Sequence, residues 1–515
     1  MKHTLTITIV AFWLAMLGLL VHKQVPPAAL DLASLPEPAR GEDEVEEPEV
    51  AWFGIYQTPP RQTPPRQTPP GQTDAGGQTD AGQGRRKIGH ARRVTRRLAS
   101  GHRFEDRSTM ALAMLGTPQT VTTSLVAETD DDYALRRFHF TLVSPAASFS
   151  ASGVRDGDRL RVEYGPDGQG AHLELPLVEP LTLQSALRPR IAAARPADGT
   201  RYTHTVFSPL TMGNETITTV VEGREQIDGQ EALRIVESQR GLEARAWLDA
   251  AGRVLREEAA LGFELRRESE DQALAGLDGA APLDLTVATR IPLRGKIDDP
   301  RGRARHRLRV VGKAADRVPE DPPRQVRHGA VLEVVREAPP ETSDDAVDRA
   351  KPDESVARHL APGPFVESDD PEIVATATRV VDGTSDPAER ARRVLAWVHE
   401  SMTQAPSLTL PSAREVLRTR RGDCNEHAVL LVALARAAGI PARVVAGTVY
   451  LDDGFYYHAW AELWLGRWVS ADAVFDQMPV DATHVKLLVG GPEEHVRLAE
   501  VVGRLTFVAV EEDNT

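Results

Sequence analysis

Arg421-Gly422-Asp423-Cys424-Asn425-Glu426-His427-Ala428 opens the stretch that decides how this chain is read; Tyr457-His458-Ala459-Trp460-Ala461-Glu462 and Ser470-Ala471-Asp472-Ala473 follow it. Gly422 breaks the chain, and from Cys424 to about Ala438 the residues Val429 to Val432, Leu434 and Ala435 are apolar nearly all round. That pattern predicts a buried helix, closed by Gly439 and Pro441. Cys424, the only cysteine in 515 residues, falls in its first turn. Unpaired N–H groups and the positive end of the macrodipole there favour thiolate over thiol, and the same groups can hold the oxygen of a tetrahedral intermediate.

Three strand-like runs come next, Ala442 to Leu451, Tyr457 to Leu465 and Arg467 to Asp472, with Asp452-Asp453-Gly454 and Gly466 as turns. A hairpin folded about Leu465 and Gly466 sets Asp472 across from His458 on the same sheet face. Cys424, His458 and Asp472 are then nucleophile, general acid/base and orienting carboxylate, the set needed to attack a carboxamide or related acyl group. Cys424, His427 and His458 are a weaker zinc signal, because a single Cys-x-x-His pair lacks a second paired motif. Trp460, Trp464 and Trp468 are expected in packing, with Trp460 on the His458 face. His484 and Glu426 are given only surface or local structural roles.

Working outward, Asp386-Pro387-Ala388-Glu389 and Ser412-Ala413-Arg414-Glu415 each start a helix by capping logic, the first carrying Ala391, Val394, Leu395 and Val398 on one face. From about Ser108 to Gln272 the pattern is strand-like: Phe138, Phe140 and Leu142 alternate with polar residues, as do Leu160, Val162 and Tyr164. Asp156-Gly157, Asp228-Gly229 and Asp249 to Gly252 are suited to hairpin turns, and Trp247 to the core. Leu308, Val310 and Val331 to Val335 mark a second, shorter β-rich stretch.

A chain of this length holds several domains. With 61 Lys and Arg against 75 Asp and Glu, a net charge of -14 disfavours a nucleic-acid binder held by phosphate contacts. Thr4 to Val21 is uncharged and mainly apolar, near the ~20 residues that span hydrocarbon, and no Ala-x-Ala site follows it. An uncleaved anchor with the bulk exported is expected. From Gln57 the repeats QTPPR, QTPPG and QTDAGG cannot bury enough surface to fold and read as a spacer, and the basic run Arg85 to Arg97 reads as its solvated end.

The stretch from about Pro411 to Asp472, through GDCNEHAVLLVALARAAGIPARVVAG and YYHAWAELWLGRWVSADAV, resembles the transglutaminase-like superfamily. The resemblance implies a papain-like arrangement of a Cys helix on a β-sheet, with Cys424 as nucleophile, His458 as general acid/base and Asp472 as its orienting carboxylate. The family's usual Asp-Pro is Asp472-Ala473 here. The expected architecture is α+β, an antiparallel β domain followed by this catalytic domain. Its parts are an anchor (1–24), a disordered linker (25–103), an antiparallel β domain (104–280), a smaller β-rich segment (281–340) and the transglutaminase-like domain (341–515). The function expected is a membrane-tethered, extracytoplasmic thiol amidase, peptidase or acyltransferase acting on a protein or peptide, with cell-envelope material as one candidate, and needing no metal or other cofactor. The alternative is a non-catalytic envelope scaffold that keeps the fold.

Overall fold

The computed structural model describes residues 47–57 and 85–510, apart from 115–116, 145–147, 166–170, 178–180, 210–211, 240–241, 260–261, 277–282, 285–288, 341–351, 364, 406–411, 452–453, 492–493, 496, 499–500 and 502. The apolar run Thr4 to Val21, the repeats after Gln57 and the Asp452-Asp453 turn therefore lie outside the described residues. Among the described residues no helix is long and apolar enough to cross a membrane.

The first half builds one long antiparallel sheet from β1 (Glu49–Gln57), β2 (Arg86–Arg97), β3 (His102–Met114), β4 (Thr117–Thr129), β5 (Leu135–Val143), β6 (Ser148–Asp156), β7 (Arg159–Gly165), β8 (Ala171–Pro176), β9 (Arg201–Ser208), β10 (Gly213–Ile227), β11 (Gln230–Gln239), β12 (Leu242–Leu248), β13 (Val254–Glu258) and β14 (Phe263–Glu268). Its order runs β8 to β1 and then β14 back to β9, with a two-residue β15 (Leu283–Asp284) parallel to β3. The alternation read in the sequence is the inward face: Phe138, Phe140, Leu142, Leu160, Val162 and Tyr164 are all buried. Asp228 and Gly229 both take positive φ (51° and 80°), the geometry of a tight turn matched to strand twist. Trp247 is buried, its indole N–H bonded to Glu225 and its ring under Arg256.

The linker expected over 25–103 is corrected here. β1 and β2 lie inside that range, and β1 pairs with both β2 and β14 at the middle of the sheet. Their sequences alternate too: Ala51, Phe53 and Ile55, then Ile88, Ala91 and Val94, turn inward, a period hidden by the repeats between them. The basic run is not a solvated end either. Arg93 pairs with Asp106, Arg96 with Glu105 (3.5 Å), Lys87 with Glu268 (2.9 Å) and Arg97 with Asp131 (2.7 Å), mostly across strands.

Helix α1 (Gln184–Ala193) lays Leu187 and Ile191 against Val206 and Ile217 of this sheet. Between them Arg188 is fully buried, with Nη2 2.9 Å from Glu237 and Nη1 3.6 Å from Glu257. Desolvation brings its guanidinium down to about 9.

The second half forms a nine-stranded sheet. Its strands are β16 (Ile291–Arg294), β17 (Arg305–Val311), β18 (Gln325–His328), β19 (Val331–Val335), β22 (Ala442–Leu451), β23 (Gly454–Trp464), β24 (Trp468–Ala471), β25 (Val485–Val489) and β26 (Thr506–Ala509). The two-residue β20 (Thr403–Gln404) and β21 (Arg421–Gly422) pair in parallel beside it. The order β18-β19-β17-β26-β16-β23-β22-β25, with β24 on β23, corrects the separate 281–340 segment. Strand β26, from near the end of the described chain, inserts between β17 and β16, so Leu308, Val310, Leu332 and Val334 share a core with Phe455 and Phe507. Helix α5 (Cys424–Ala437) packs on β22 and β23, and α2 (Pro371–Val380), α3 (Pro387–Ser401) and α4 (Ala413–Thr419) pack against α5. Asp386 caps α3, and Ala391, Val394, Leu395 and Val398 are its buried stripe, as the capping and spacing predict.

Removing one member of the buried Arg188 cluster strands the charges of the others. Arg188→Ala is expected to lower stability by roughly 3–5 kcal/mol, read from the urea midpoint. A loss under about 1 kcal/mol would mean that Glu237 and Glu257 simply take up protons.

Candidate active site

Helix α5 is buried from Cys424 to Ala435, so its start must satisfy its own N–H groups. Asp423 does this as N-cap: Oδ1 accepts from Asn425 N (2.6 Å), the Glu426 N–H also bonds its side chain, and Glu426 Oε2 accepts from Asp423 N (2.8 Å). This reciprocal capping box gives Glu426 the role that sequence reading left open, although Asp-x-x-Glu was there to be read. The helix start is held by β21, which pairs with β20, and Gly422 O accepts from the N–H of Ala405, the residue after β20 (3.0 Å). A Cβ on Gly422 would fall 2.2 Å from Glu426 Cβ, so glycine is what lets the box close. Of the first-turn donors the box leaves the Cys424 N–H without a partner among the described residues.

Strand β23 creates the place for the thiol. It pairs with β22 along its length, but on the other edge β16 meets it only at Gly454 and Phe455, and β24 only from Ala461 to Trp464. Residues 456–460 are left open on that edge. The Ala459 N–H, one residue past His458, hydrogen-bonds the Cys424 sulfur there.

His458 Nε2 and Asp472 Oδ2 are 2.6 Å apart and both side chains are buried. The hairpin register differs from the expected one: Leu463 pairs with Val469 and Ala461 with Ala471, which makes Asp472 a diagonal neighbour of His458 on the same face. The contact forms because Asp472 leaves the ladder, bridging Gln477 in a turn whose Val474 N–H donates to Oδ1 (2.8 Å). Burial opposes the charge on Asp472, but His458 and His484 hold it well below the usual carboxylate range.

The electrostatics of Cys424 overturn one expectation. With no exposed surface, desolvation pushes the thiol well above its ordinary value and the Asp423 charge adds to this, while the Ala459 N–H works the other way. In this closed state the helix start does not outweigh the lost solvation. His427 does not join a metal set with Cys424; its buried Nδ1–H donates to Asp423 O at 2.5 Å. Among the described residues the one group of three ligand-type side chains is His458, Asp472 and His484, whose atoms lie within 4.8 Å. Two of those separations, 2.6 and 3.0 Å, are hydrogen bonds that use the same lone pairs. Trp460 is buried and flanks both histidines, with ring centroids 6.3 Å from His458 and 5.3 Å from His484. Trp464 and Trp468 pack on each other (5.5 Å), with Arg443 over Trp468.

Residues beyond the sequence reading line the same place. Tyr457 O–H donates to Asn425 Oδ1 (2.7 Å) and lies 3.0 Å from His495 Nδ1. Burial brings His495 down to about 3. Phe475, half-buried, covers His458 at 5.2 Å under the Arg301 guanidinium (4.2 Å). No local spacing rule links Arg301 or His495 to the cysteine helix.

Residues 374–473 match the model of the Transglutaminase-like superfamily. An uncharacterized protein of Mycobacterium leprae (strain TN) is 24% identical over 140 residues, 25% of this chain and 49% of that protein. The chain thus spans about half the length of the curated relative it matches. A solved chain named "Putative Cysteine Protease from Cytophaga hutchinsonii" aligns over 42% of this chain and 85% of its own at 16% identity and a TM-score of 0.27. A β-barrel-like protein of a domain of unknown function from Brucella abortus aligns over 42% and 95% at 12% identity, with a TM-score of 0.31.

Because the thiol is raised, the thiolate is the minor form until pH climbs past the ordinary thiol range. Alkylation of the sole cysteine by iodoacetamide in the free protein is expected to be slow at neutral pH and to rise only in the alkaline range. A fast plateau from neutral pH downward would show that the site opens and that His458 holds the thiolate as an ion pair.

Proposed function

We propose that this chain is an exported, membrane-tethered thiol enzyme that acts on amide or peptide acyl groups. One observation supports it above others: the buried 2.6 Å His458–Asp472 bond beside the open edge of β23, where the Cys424 sulfur meets the Ala459 N–H. Asp472 fixes the His458 tautomer with Nε2–H toward the carboxylate, which leaves Nδ1 to exchange a proton with the thiol.

The reaction then balances in two halves. Cys424 loses its proton to His458 and its sulfur bonds the carbonyl carbon. The carbonyl oxygen takes the negative charge beside the Cys424 N–H. As the C–N bond breaks, His458 passes the proton to the leaving nitrogen, and a thioester remains. Water or an amine adds to the thioester carbon, its proton goes to His458, and the C–S bond breaks to restore the thiol. Water yields the acid and an amine yields a new amide. Substrate reaches the sulfur only if the closed cover moves, and Phe475 is the half-buried side chain over His458.

The tether rests on the Thr4 to Val21 run and on the Pro- and Gly-rich repeats that follow it, which would hold the folded part away from a bilayer outside the cytoplasm. The substrate class is protein or peptide, with no role for nucleic acid given the net charge of -14. A second reading, a scaffold without turnover, is favoured by the complete burial of Cys424 and its raised thiol.

Hydroxylamine separates these outcomes. With peptide amides offered to the full-length protein in membranes, ammonia or amine release with hydroxamate formation is expected, and Cys424→Ala should lower both by at least about 1000-fold. Hydroxamate without acid marks amine transfer, acid alone marks hydrolysis, and neither product favours the scaffold.

A further inference from the structure

His484 was given no role by the sequence, yet it is fully buried behind the catalytic pair. Its Nε2 lies 3.0 Å from Asp472 Oδ2, the same oxygen that His458 bonds, and its Nδ1 lies 3.2 Å from Asp481 Oδ1. Two ring nitrogens that each face a carboxylate oxygen must both carry protons. Asp481 is itself saturated: Oδ1 also accepts from Thr483 N (2.9 Å), and Oδ2 accepts from Gln477 Nε2 (3.0 Å) and Arg301 Nη1 (2.8 Å). A file of alternating charge results, Arg301, Asp481, His484 and Asp472, and it ends on the His458 ring.

The far end of that file belongs to the strands before the catalytic domain. Arg301 sits between β16 and β17. The buried Arg324, just before β18, donates to Asp481 O (2.9 Å) and His484 O (3.0 Å), and Gln325 exchanges bonds with the Lys486 backbone (2.9 Å each way). Phe475 and Trp460 close the ring's other sides (5.9 and 5.3 Å). The charged or titratable groups facing His484 are thus Asp472, Asp481, His458 and, through backbone and Asp481, Arg324 and Arg301.

We propose that His484 is a positioning residue, doubly protonated between Asp472 and Asp481, which aims the Asp472 carboxylate at His458 and ties the triad to the strands spanning 291–328. This rests on the thiol-enzyme reading of Cys424 and His458. Asp472 cannot turn toward another donor while its Oδ2 is held from both sides, and its charge is balanced from behind. Burial works against the His484 cation, and the two carboxylates outweigh it and raise the ring.

Nitrogen-15 spectra of histidine-labelled full chain test the protonation state. Both His484 ring nitrogens are expected to be protonated at neutral pH, and in Asp481→Asn only one; a single protonated nitrogen in the wild type overturns the proposal. Alkylation of Cys424 tests the positioning. His484→Gln keeps a donor but loses the cation. It is expected to slow the reaction about tenfold in protein that stays folded at the assay temperature, the lower end of what loss of an outer partner costs a tuned histidine. Because a cation is lost behind Asp472, the thiolate is held less well and the alkaline rise of the rate moves to higher pH. If His458→Ala slows alkylation and His484→Gln neither slows it nor moves the profile, the positioning role is wrong. If His458→Ala changes nothing, the underlying thiol-enzyme reading fails instead, while the nitrogen spectra still decide the state of His484. Should His484→Gln melt early, Arg301→Met, at a half-exposed side chain, repeats the pH comparison; an unmoved profile there contradicts the linkage to the upstream strands.

Discussion

A carboxylate with 1% of its surface exposed must be met by donors or lose its charge, and Asp472 is met by three: the Val474 N–H, His458 and His484. Much of the local architecture answers that requirement. Strand β24 ends early so that the turn after Ala471 can curl back on Gln477, and that early end leaves the edge of β23 open beside His458. The opening is where the sulfur at the start of α5 meets the Ala459 N–H. One buried charge therefore accounts for the break in the sheet, the orientation of the imidazole and the position at which a nucleophile can stand.

At the sulfur two effects compete, and their sizes decide the resting state. A helix start favours a nearby anion by about 0.3–1 kcal/mol at exposed sites and up to ~2 kcal/mol when partly buried. The capping box spends most of that field on Asp423 and Glu426, two buried carboxylates that repel a thiolate. Complete burial costs an unpaired anion more than the remaining field returns, so the closed site holds a thiol. The nucleophilic role proposed for Cys424 therefore requires an opening step or a substrate that brings its own carbonyl dipole to the Cys424 N–H.

The cysteine helix, its exit and the His458 strand were legible because each is a local signal: an apolar run, a Gly-x-Pro close and alternating strands. The His458–Asp472 register was read two residues off, since the fold of a turn that leaves the ladder is set by buried donors and not by strand arithmetic. β1 and β2 escaped because repeats between them masked two short alternations, although Phe53, Ile55 and Ile88 are core residues. His484, Arg301 and Arg324 could not be found from spacing at all. They converge only when β26 threads between β17 and β16 and fuses the upstream strands with the sheet that carries His458.

Whether Cys424 works as a nucleophile is tested most directly by intact-mass analysis of the native protein after brief exposure to an activated ester. One acyl group per chain, located on Cys424 and absent in His458→Ala, is the predicted result. An unmodified native protein whose cysteine acylates readily only after denaturation would contradict it, and would leave the fold as a scaffold with a sealed thiol.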